Sequence, residues 1–351
     1  MKALDALYEA QKIAFSPFVF QTAYSMHNLG IFDKIFEAKD GLTLQEIAQQ
    51  TNLDEYGVRV LIEMAAAADI VEKNSATNKY TLSKIGYFVA RDEMTRVNML
   101  FTQDICYKGL YHLEDAVKNG KPEGLKEIGD WETIYQGLSK LPGRLKKSWF
   151  EFDHFYSDNS FDEALKVIFK DQPKMIFDIG GNTGKWAIAS TRYNKDVHVT
   201  ILDLPIQIET AQNNINQNFT DIKDRVHYYP INVLDEQSTI PAGADVYWMS
   251  QFLDCFSEAQ IESILLKIKE NAKPGAKVYI METFIDNQRF PAAEFSLVAT
   301  SLYFTVMANG NSKMYSSSVF KYIIDKAGFK CVGEHHLHED SYHTILELEL
   351  K

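Results

Sequence analysis

Residues 174–184 read Lys-Met-Ile-Phe-Asp-Ile-Gly-Gly-Asn-Thr-Gly: an apolar run, an acid at Asp178, then a glycine-rich turn. At the spacing of a βαβ unit, about 20 residues on, a second apolar run (Val197 to Leu202) ends in Asp203. Gly180, Gly181 and Gly184 let the backbone turn sharply and approach a ligand with no Cβ in the way. An acid at the tip of the second strand can accept hydrogen bonds from both hydroxyls of a ribose. The turn is D-x-G-G-N-x-G and carries neither common phosphate-binding pattern. It lacks G-x-G-x-x-G; as a P-loop, Gly180 is one residue too close to Lys185 and Trp186 stands where Ser or Thr is needed. A nucleoside site without a phosphate cradle suits S-adenosylmethionine (SAM), whose aminoacyl end bears no phosphate. The plain alternative is a tight turn in some other α/β enzyme.

Such residues need a sheet to carry them. From Lys174 onward, strand-like runs fall at 174–179, 197–202, 226–231, 244–250, 276–283, 328–334 and 343–350, with helical stretches between most of them. Alternation of this kind predicts a parallel, doubly wound α/β sheet. The last two runs are too close for a helical crossover and should pair antiparallel. Seven strands ending in an antiparallel hairpin is the class I (Rossmann-like) methyltransferase plan. Ligands of open α/β sheets sit beyond the carboxyl ends of the strands, so the tips assign the candidates. Asp178 and Gly180–Gly184 would surround the aminoacyl end of SAM. Asp203 would hold its ribose, with Leu204 beside the adenine. Asn232 and Val233 would meet the adenine amino edge. Ser250, Gln251, Asp254 and Cys255 follow the fourth run, and Glu282 ends the fifth.

Three segments precede or contain that sheet: 1–100, 101–170 and 171–351. In the first, Asp5 to Phe36 has helical spacing with a break at Gly30, and Thr43 with Glu46 forms a capping box. A further helix starts near Asp54, and two short strand-like runs flank the polar tip Asn74–Asn78. Three helices and a hairpin make a winged helix. Its groove-reading segment, Asp54 to Ala67, holds Arg59 against Asp54, Glu55 and Glu63, the wrong balance for DNA, so a dimerisation scaffold is expected. Residues 101–170 look helical and aromatic-rich, with Phe152, His154, Phe155 and Tyr156 as candidates for a substrate-pocket wall.

Net charge is −12 over 351 residues, which repels nucleic acid phosphates. No run is long and apolar enough to span a membrane. Three scattered cysteines, Cys106, Cys255 and Cys331, argue for a reducing, cytoplasmic setting. The cluster His335, His336, His338, Glu339 and Asp340 resembles a metal-ligand set, but a solvated turn is the expected reading, with no metal.

These motifs together resemble the small-molecule O-methyltransferases that join a winged-helix dimerisation domain to a SAM-binding domain, such as the caffeic acid and hydroxyindole enzymes. Asp178–Gly184 is similar to their D-V-G-G-G-x-G, and Leu202-Asp203-Leu204-Pro205 to F-D-L-P. Asn28–Asp33 resembles L-G-[IL]-F-D, Phe152–Tyr156 the F-x-x-x-M substrate helix, and Ala327-Gly328-Phe329 the A-G-F before the sixth strand. The resemblance implies a SAM-dependent methyl transfer to a small, aromatic acceptor and a homodimer whose first helix makes contact. Departures fall on the catalytic apparatus. The family's L-H-D-W-[ST]-D-E appears as Leu253-Asp254-Cys255-Phe256-Ser257-Glu258-Ala259, so its base histidine falls on Asp254. The glutamate of N-G-x-E-R-T falls on Ser312, whereas Glu282 is kept. Asp254 and Glu282 are therefore the catalytic candidates, for a hydroxyl, carboxyl or amine acceptor; Asp254 could instead cap the helix that opens near Ser257. Two other functions stay open: a SAM-binding relative with altered or lost transfer chemistry, and a winged-helix regulator that senses SAM.

Overall fold

In the computed structural model, which describes residues 1–157, 160–337 and 342–351 (Ser157 by its backbone alone), the chain separates into two units, Met1–Gln103 and Asp104–Lys351. The first contains α1 (Ala3–Ala14), α2 (Ser16–Asn28), α3 (Ile31–Glu37), α4 (Leu44–Thr51), α5 (Glu55–Ala67), the hairpin β1 (Val71–Asn74) and β2 (Lys79–Leu82), α6 (Lys84–Arg91) and α7 (Glu93–Phe101). The stretch expected to be helical from Asp5 to Phe36 is three helices. Pro17 opens α2, where a missing N–H costs nothing, and Gly30, at φ 71°, turns the chain into α3. Thr43 and Glu46 form the expected capping box at the start of α4. Met26, Ile31, Ile47, Val58 and Ile62 are fully buried between these helices and the hairpin.

The second unit adds α8 (Leu113–Asn119), α9 (Gly143–Ser157), α10 (Phe161–Ile168), α11 (Lys185–Tyr193), α12 (Pro205–Asn218), α13 (Glu258–Asn271), α14 (Pro291–Tyr303) and α15 (Ser317–Lys326). Its strands are β3 (Met175–Ile179), β4 (His198–Asp203), β5 (Val226–Pro230), β6 (Val246–Ser250), β7 (Lys277–Glu282), β8 (Phe329–His336) and β9 (Thr344–Leu350). They form one sheet in the order β5-β4-β3-β6-β7-β9-β8. The first five are parallel, and β9 runs antiparallel to both β7 and β8. Strand order reverses between β3 and β6, so a crevice opens beyond their carboxyl ends.

Because side chains alternate along a strand, the sheet feeds two apolar layers. Phe177, Ile179, Tyr247, Met249 and Ile280 meet α13 and α15 on one face. Ile176, Val199, Ile201, Trp248 and Met281 meet α10, α11 and α12 on the other. There Trp186 of α11 stacks on Trp248, centroids 4.2 Å apart. The segment 101–170 is less helical than its pattern suggests. Between α8 and α9 it is turns and short 3-10 pieces, since Gly120, Pro122, Gly124, Gly129, Gly137 and Pro142 interrupt any longer helix.

Candidate active site

A cavity of about 970 Å³ lies beyond the tips of β3, β4 and β6 within the second unit, near the top of the roughly 300–1,000 Å³ range of ligand pockets. One end is lined by Gly180, Asn182, Asp203, Leu204, Asn232 and Val233. The other is aromatic, walled by Trp131, Tyr135, Trp149, Phe152, Tyr156 and Tyr303.

The glycine turn is shaped by close approaches. Gly180 sits at φ +80°, and a Cβ there would lie 2.2 Å from the Phe252 ring. A Cβ on Gly181 would lie 2.5 Å from Asp178 Oδ2. Gly184, at φ +83°, precedes α11 and would crowd Ile215. Of the three, Gly180 reaches the cavity wall; Gly181 and Gly184 serve the turn. Asp203 accepts from the Asn182 N–H through Oδ2 (2.9 Å) and from the Leu204 N–H through Oδ1 (2.7 Å). Asp203 lines the cavity, and each oxygen keeps accepting capacity, the acceptor pair that two vicinal hydroxyls require. Asp178, assigned to the aminoacyl end, is off the cavity wall and 2 % exposed, with Oδ2 buried without a partner. Burial, and then the Asp203 charge, pushes its pKa up to about 8. A cationic group arriving at the turn would relieve both the orphaned oxygen and the charge repulsion.

Asp254 lies in a 3-10 turn, Leu253–Cys255, on the cavity wall. It does not cap the following helix. Ser257 does, its Oγ accepting from the Gln260 N–H at 3.4 Å. The turn is held from three sides. Glu282 Oε1 accepts from the Phe252 and Leu253 N–H groups (3.1 and 2.9 Å). Asn309 Nδ2 donates to the Cys255 carbonyl at 2.6 Å, and Tyr315 Oη donates to the Phe256 carbonyl at 2.7 Å. Burial raises Asp254 to about 6, opposed by hydrogen bonds from the Cys255 thiol and backbone. Glu282 is pushed well above the usual carboxylate range by burial and then by the Asp254 charge. It does not line the cavity; it stands behind Asp254 with Oε2 buried.

Several sequence-assigned residues lie elsewhere. Along α9, Trp149, Phe152, Asp153 and Tyr156 face the cavity at helical spacing, which turns His154 and Phe155 away. His154 packs against Phe150, and Phe155 edges Tyr156. Ser250 is off the wall; its neighbour Gln251, at φ 45°, takes that place. Ser312 donates to Asn309 Oδ1 at 2.9 Å, supporting the residue that grips Cys255. His335 and His336 contact Glu347 and Thr344, while His338, Glu339 and Asp340 lie outside the described residues. Among the described residues, no group of three or more His, Cys, Asp or Glu side chains could hold a metal ion. Tyr303, at the end of α14, had no distinguishing local pattern; its role as a wall shows only once α14 folds over the cavity.

Comparison with known proteins agrees with this architecture. Residues 110–330 match the profile of the O-methyltransferase domain, and residues 8–80 that of the Dimerisation2-like domain. The chain belongs to the O-methyltransferase family. It is 21% identical over 318 residues to the acetylserotonin O-methyltransferase of Macaca mulatta, covering 89% of each chain. It is 21% identical over 309 residues to the demethylspheroidene O-methyltransferase of Rhodobacter capsulatus, covering 87% of this chain and 73% of that one. Its fold superposes on the SAM-dependent methyltransferase SibL (TM-score 0.72, 21% identity, 97% and 98% of the two chains). It also superposes on NcsB1 in complex with SAM and 2-hydroxy-5-methyl naphthoic acid (TM-score 0.66, 18% identity, 95% and 96%). This family member is thus a SAM-dependent methyltransferase with a class I catalytic domain and an N-terminal winged-helix domain. Among the described residues no helix is long and apolar enough to cross a membrane.

Proposed function

We propose that the enzyme methylates a hydroxyl of a small aromatic molecule, with Asp254 taking the proton. The observation that carries this reading is a buried carboxylate on the wall of an aromatic cavity, lifted to a pKa of about 6. An unperturbed histidine titrates near about 6.5. Burial gives Asp254 the basicity of the imidazole whose place it takes in the family pattern. SAM, when bound, supplies an electrophilic methyl on a sulfonium: the O–CH3 bond forms as the S–CH3 bond breaks, and the electron pair stays on sulfur. The chain's own contribution is alignment and proton removal. Asp203 accepts from the ribose hydroxyls, Gly180 and Asn182 admit the aminoacyl portion, Asp178 neutralises its ammonium, and Leu204, Asn232 and Val233 border the adenine. Asp254 accepts the acceptor's hydroxyl proton, and Glu282 keeps Asp254 in place.

A hydroxyl is favoured over a carboxylate by charge. Glu123, Asp130, Glu132, Asp153, Asp203 and Asp254 line the cavity, against Lys121 and Lys126, so an anionic acceptor meets net repulsion. The O-methyltransferases among its relatives favour oxygen over an amine. A second reading, donor binding without transfer, draws on one observation: Ser312 is occupied with Asn309 where the family pattern has a glutamate. A homodimer is proposed from the Dimerisation2-like match and from α1, which buries none of its residues and exposes Leu4, Leu7 and Ile13. Arg59 is paired with Glu55 at 2.7 Å, which opposes a DNA-reading role. The free thiols of Cys106, Cys255 and Cys331 suit the cytoplasm.

The test is radiolabelled methyl transfer from SAM to a panel of phenols, carboxylic acids and amines, alongside calorimetric titration of the donor. Labelled phenols support the reading. Tight donor binding with no labelled product supports the second one, and absence of donor binding sinks both.

A further inference from the structure

A base alone does not hold a phenol. As the proton leaves, negative charge grows on the acceptor oxygen, and a donor aimed at that point stabilises it. Asp254 can only accept when ionised, and the Cys255 thiol already donates to Asp254 Oδ1 at 3.4 Å. Other polar groups of the aromatic end are engaged. Tyr303 Oη accepts from Trp149 Nε1 at 2.9 Å, Tyr315 Oη donates to the Phe256 carbonyl, and Asn309 Nδ2 donates to the Cys255 carbonyl. Tyr135 differs. Its ring lines the same cavity, and its Oη is buried with no well-formed hydrogen bond. Burial, and then the neighbouring Cys255, Tyr303 and Asp254, hold its proton on firmly.

The segment carrying Tyr135 is locked. Its neighbour Ile134 is fully buried. Trp131 lies against two glycines: a Cβ at Gly129 or Gly137 would come within 2.0 or 2.2 Å of its ring. The hydroxyl is therefore held in place by packing, with only the Cys255 thiol, a weak acceptor, beside it. A buried hydroxyl left with so weak an acceptor costs free energy that an incoming oxygen would recover.

We propose that the Tyr135 hydroxyl is the hydrogen-bond donor that holds the acceptor's oxygen while Asp254 receives its proton. This rests on the aromatic-hydroxyl reading above. The pair forms a two-point grip, one donor and one acceptor, that accepts a neutral hydroxyl and rejects a methyl ether, the product.

The test is Tyr135→Phe, which removes one oxygen atom. Both proteins are assayed with ring-substituted phenols of graded acidity, and each is titrated with S-adenosylhomocysteine. The variant should lose roughly 10- to 100-fold in kcat/KM, the scale of one hydrogen bond to a developing charge. The loss should deepen as the phenol becomes less acidic, because a more basic oxygen gains more from the donor. Affinity for S-adenosylhomocysteine and the melting temperature should stay at wild-type values. Turnover within twofold of wild type across the series overturns the inference, as does a parallel loss of nucleoside affinity. So does an unfolded variant, since a hydroxyl with only a thiol beside it has little structural to hold. A wild-type enzyme that methylates no phenol sinks the aromatic-hydroxyl reading itself; phenol turnover with an unaffected variant sinks the Tyr135 inference alone.

Discussion

Glu282 offers the sharpest separation between position and charge. Its Oε1 accepts two backbone N–H groups, from Phe252 and Leu253, at the turn that presents Asp254. Glu282→Ala leaves both donors without a partner in a buried place. Each orphaned donor costs about 1–3 kcal/mol, so the two together cost about 2–6 kcal/mol, a large fraction of the roughly 5–15 kcal/mol that stabilises a typical protein. Glu282→Gln keeps an oxygen where Oε1 stands. Burial and the Asp254 charge push the native side chain toward its neutral form, so glutamine comes close to it in charge as well as in size. Urea denaturation should place the Gln variant within about 1 kcal/mol of wild type, inside the usual range of a change that leaves no orphan, and the Ala variant far below. The pH profile of kcat/KM gives the second readout. With a neutral neighbour in both proteins, the limb belonging to Asp254 should not move. An ionised Glu282 would instead hold Asp254 up, and its replacement by glutamine would carry that limb to lower pH. A shift of a pH unit or more, or a Gln variant as unstable as the Ala one, refutes the reasoning.

Asp254→Asn should abolish most turnover while donor affinity stays near wild type. In the native enzyme kcat/KM should rise with pH through about 6 and then level, as the base ionises; an unchanged profile in the variant would remove Asp254 from catalysis. Asp203→Ala should weaken SAM binding by about 1.5–3 kcal/mol, the scale of hydrogen bonds to a charged group, as read by calorimetry; undiminished binding would place the ribose elsewhere. Asp178 has a folded pKa of about 8 against an ordinary value of 3.8. A raised acid leaves stability whole below pH 4, erodes it as pH climbs toward 8, and takes no more above that. Asp178→Asn should therefore gain on wild type across that window, by up to about 6 kcal/mol at about 1.4 kcal/mol per unit. Parallel stability curves would contradict it. For the same reason, SAM binding to the native protein near pH 7 should release a proton, seen as a buffer-dependent heat that the Asn variant lacks.

Much of this was legible in the residues because each signal was local. The capping box of Thr43 with Glu46 depends on neighbours a few positions away, and Asn182 of the glycine turn meets Asp203 21 positions on, within one βαβ unit. The Asp254 turn was locatable, but its character was not. That it is buried, raised in pKa and gripped by Glu282 and Asn309 depends on groups 28 and 55 positions along the chain, brought together by β7 and the segment after α14. The aromatic helix was visible as composition, yet the phase of α9 decides that Asp153 faces inward and His154 does not. A one-residue difference in phase rotates a helical side chain by about 100°, and a list of aromatics carries no phase. Tyr135 and Tyr303 come from irregular or distant elements, and their convergence is a property of the folded chain.

The four tryptophans of the chain divide between two settings. Trp186 and Trp248 are stacked inside the sheet layer, while Trp131 and Trp149 face the cavity. Emission from the first pair reports unfolding, and emission from the second reports whatever enters beside it. A fluorimeter can thus follow occupancy and integrity of the unlabelled enzyme as two distinguishable signals, and can screen for the acceptor before any turnover is known.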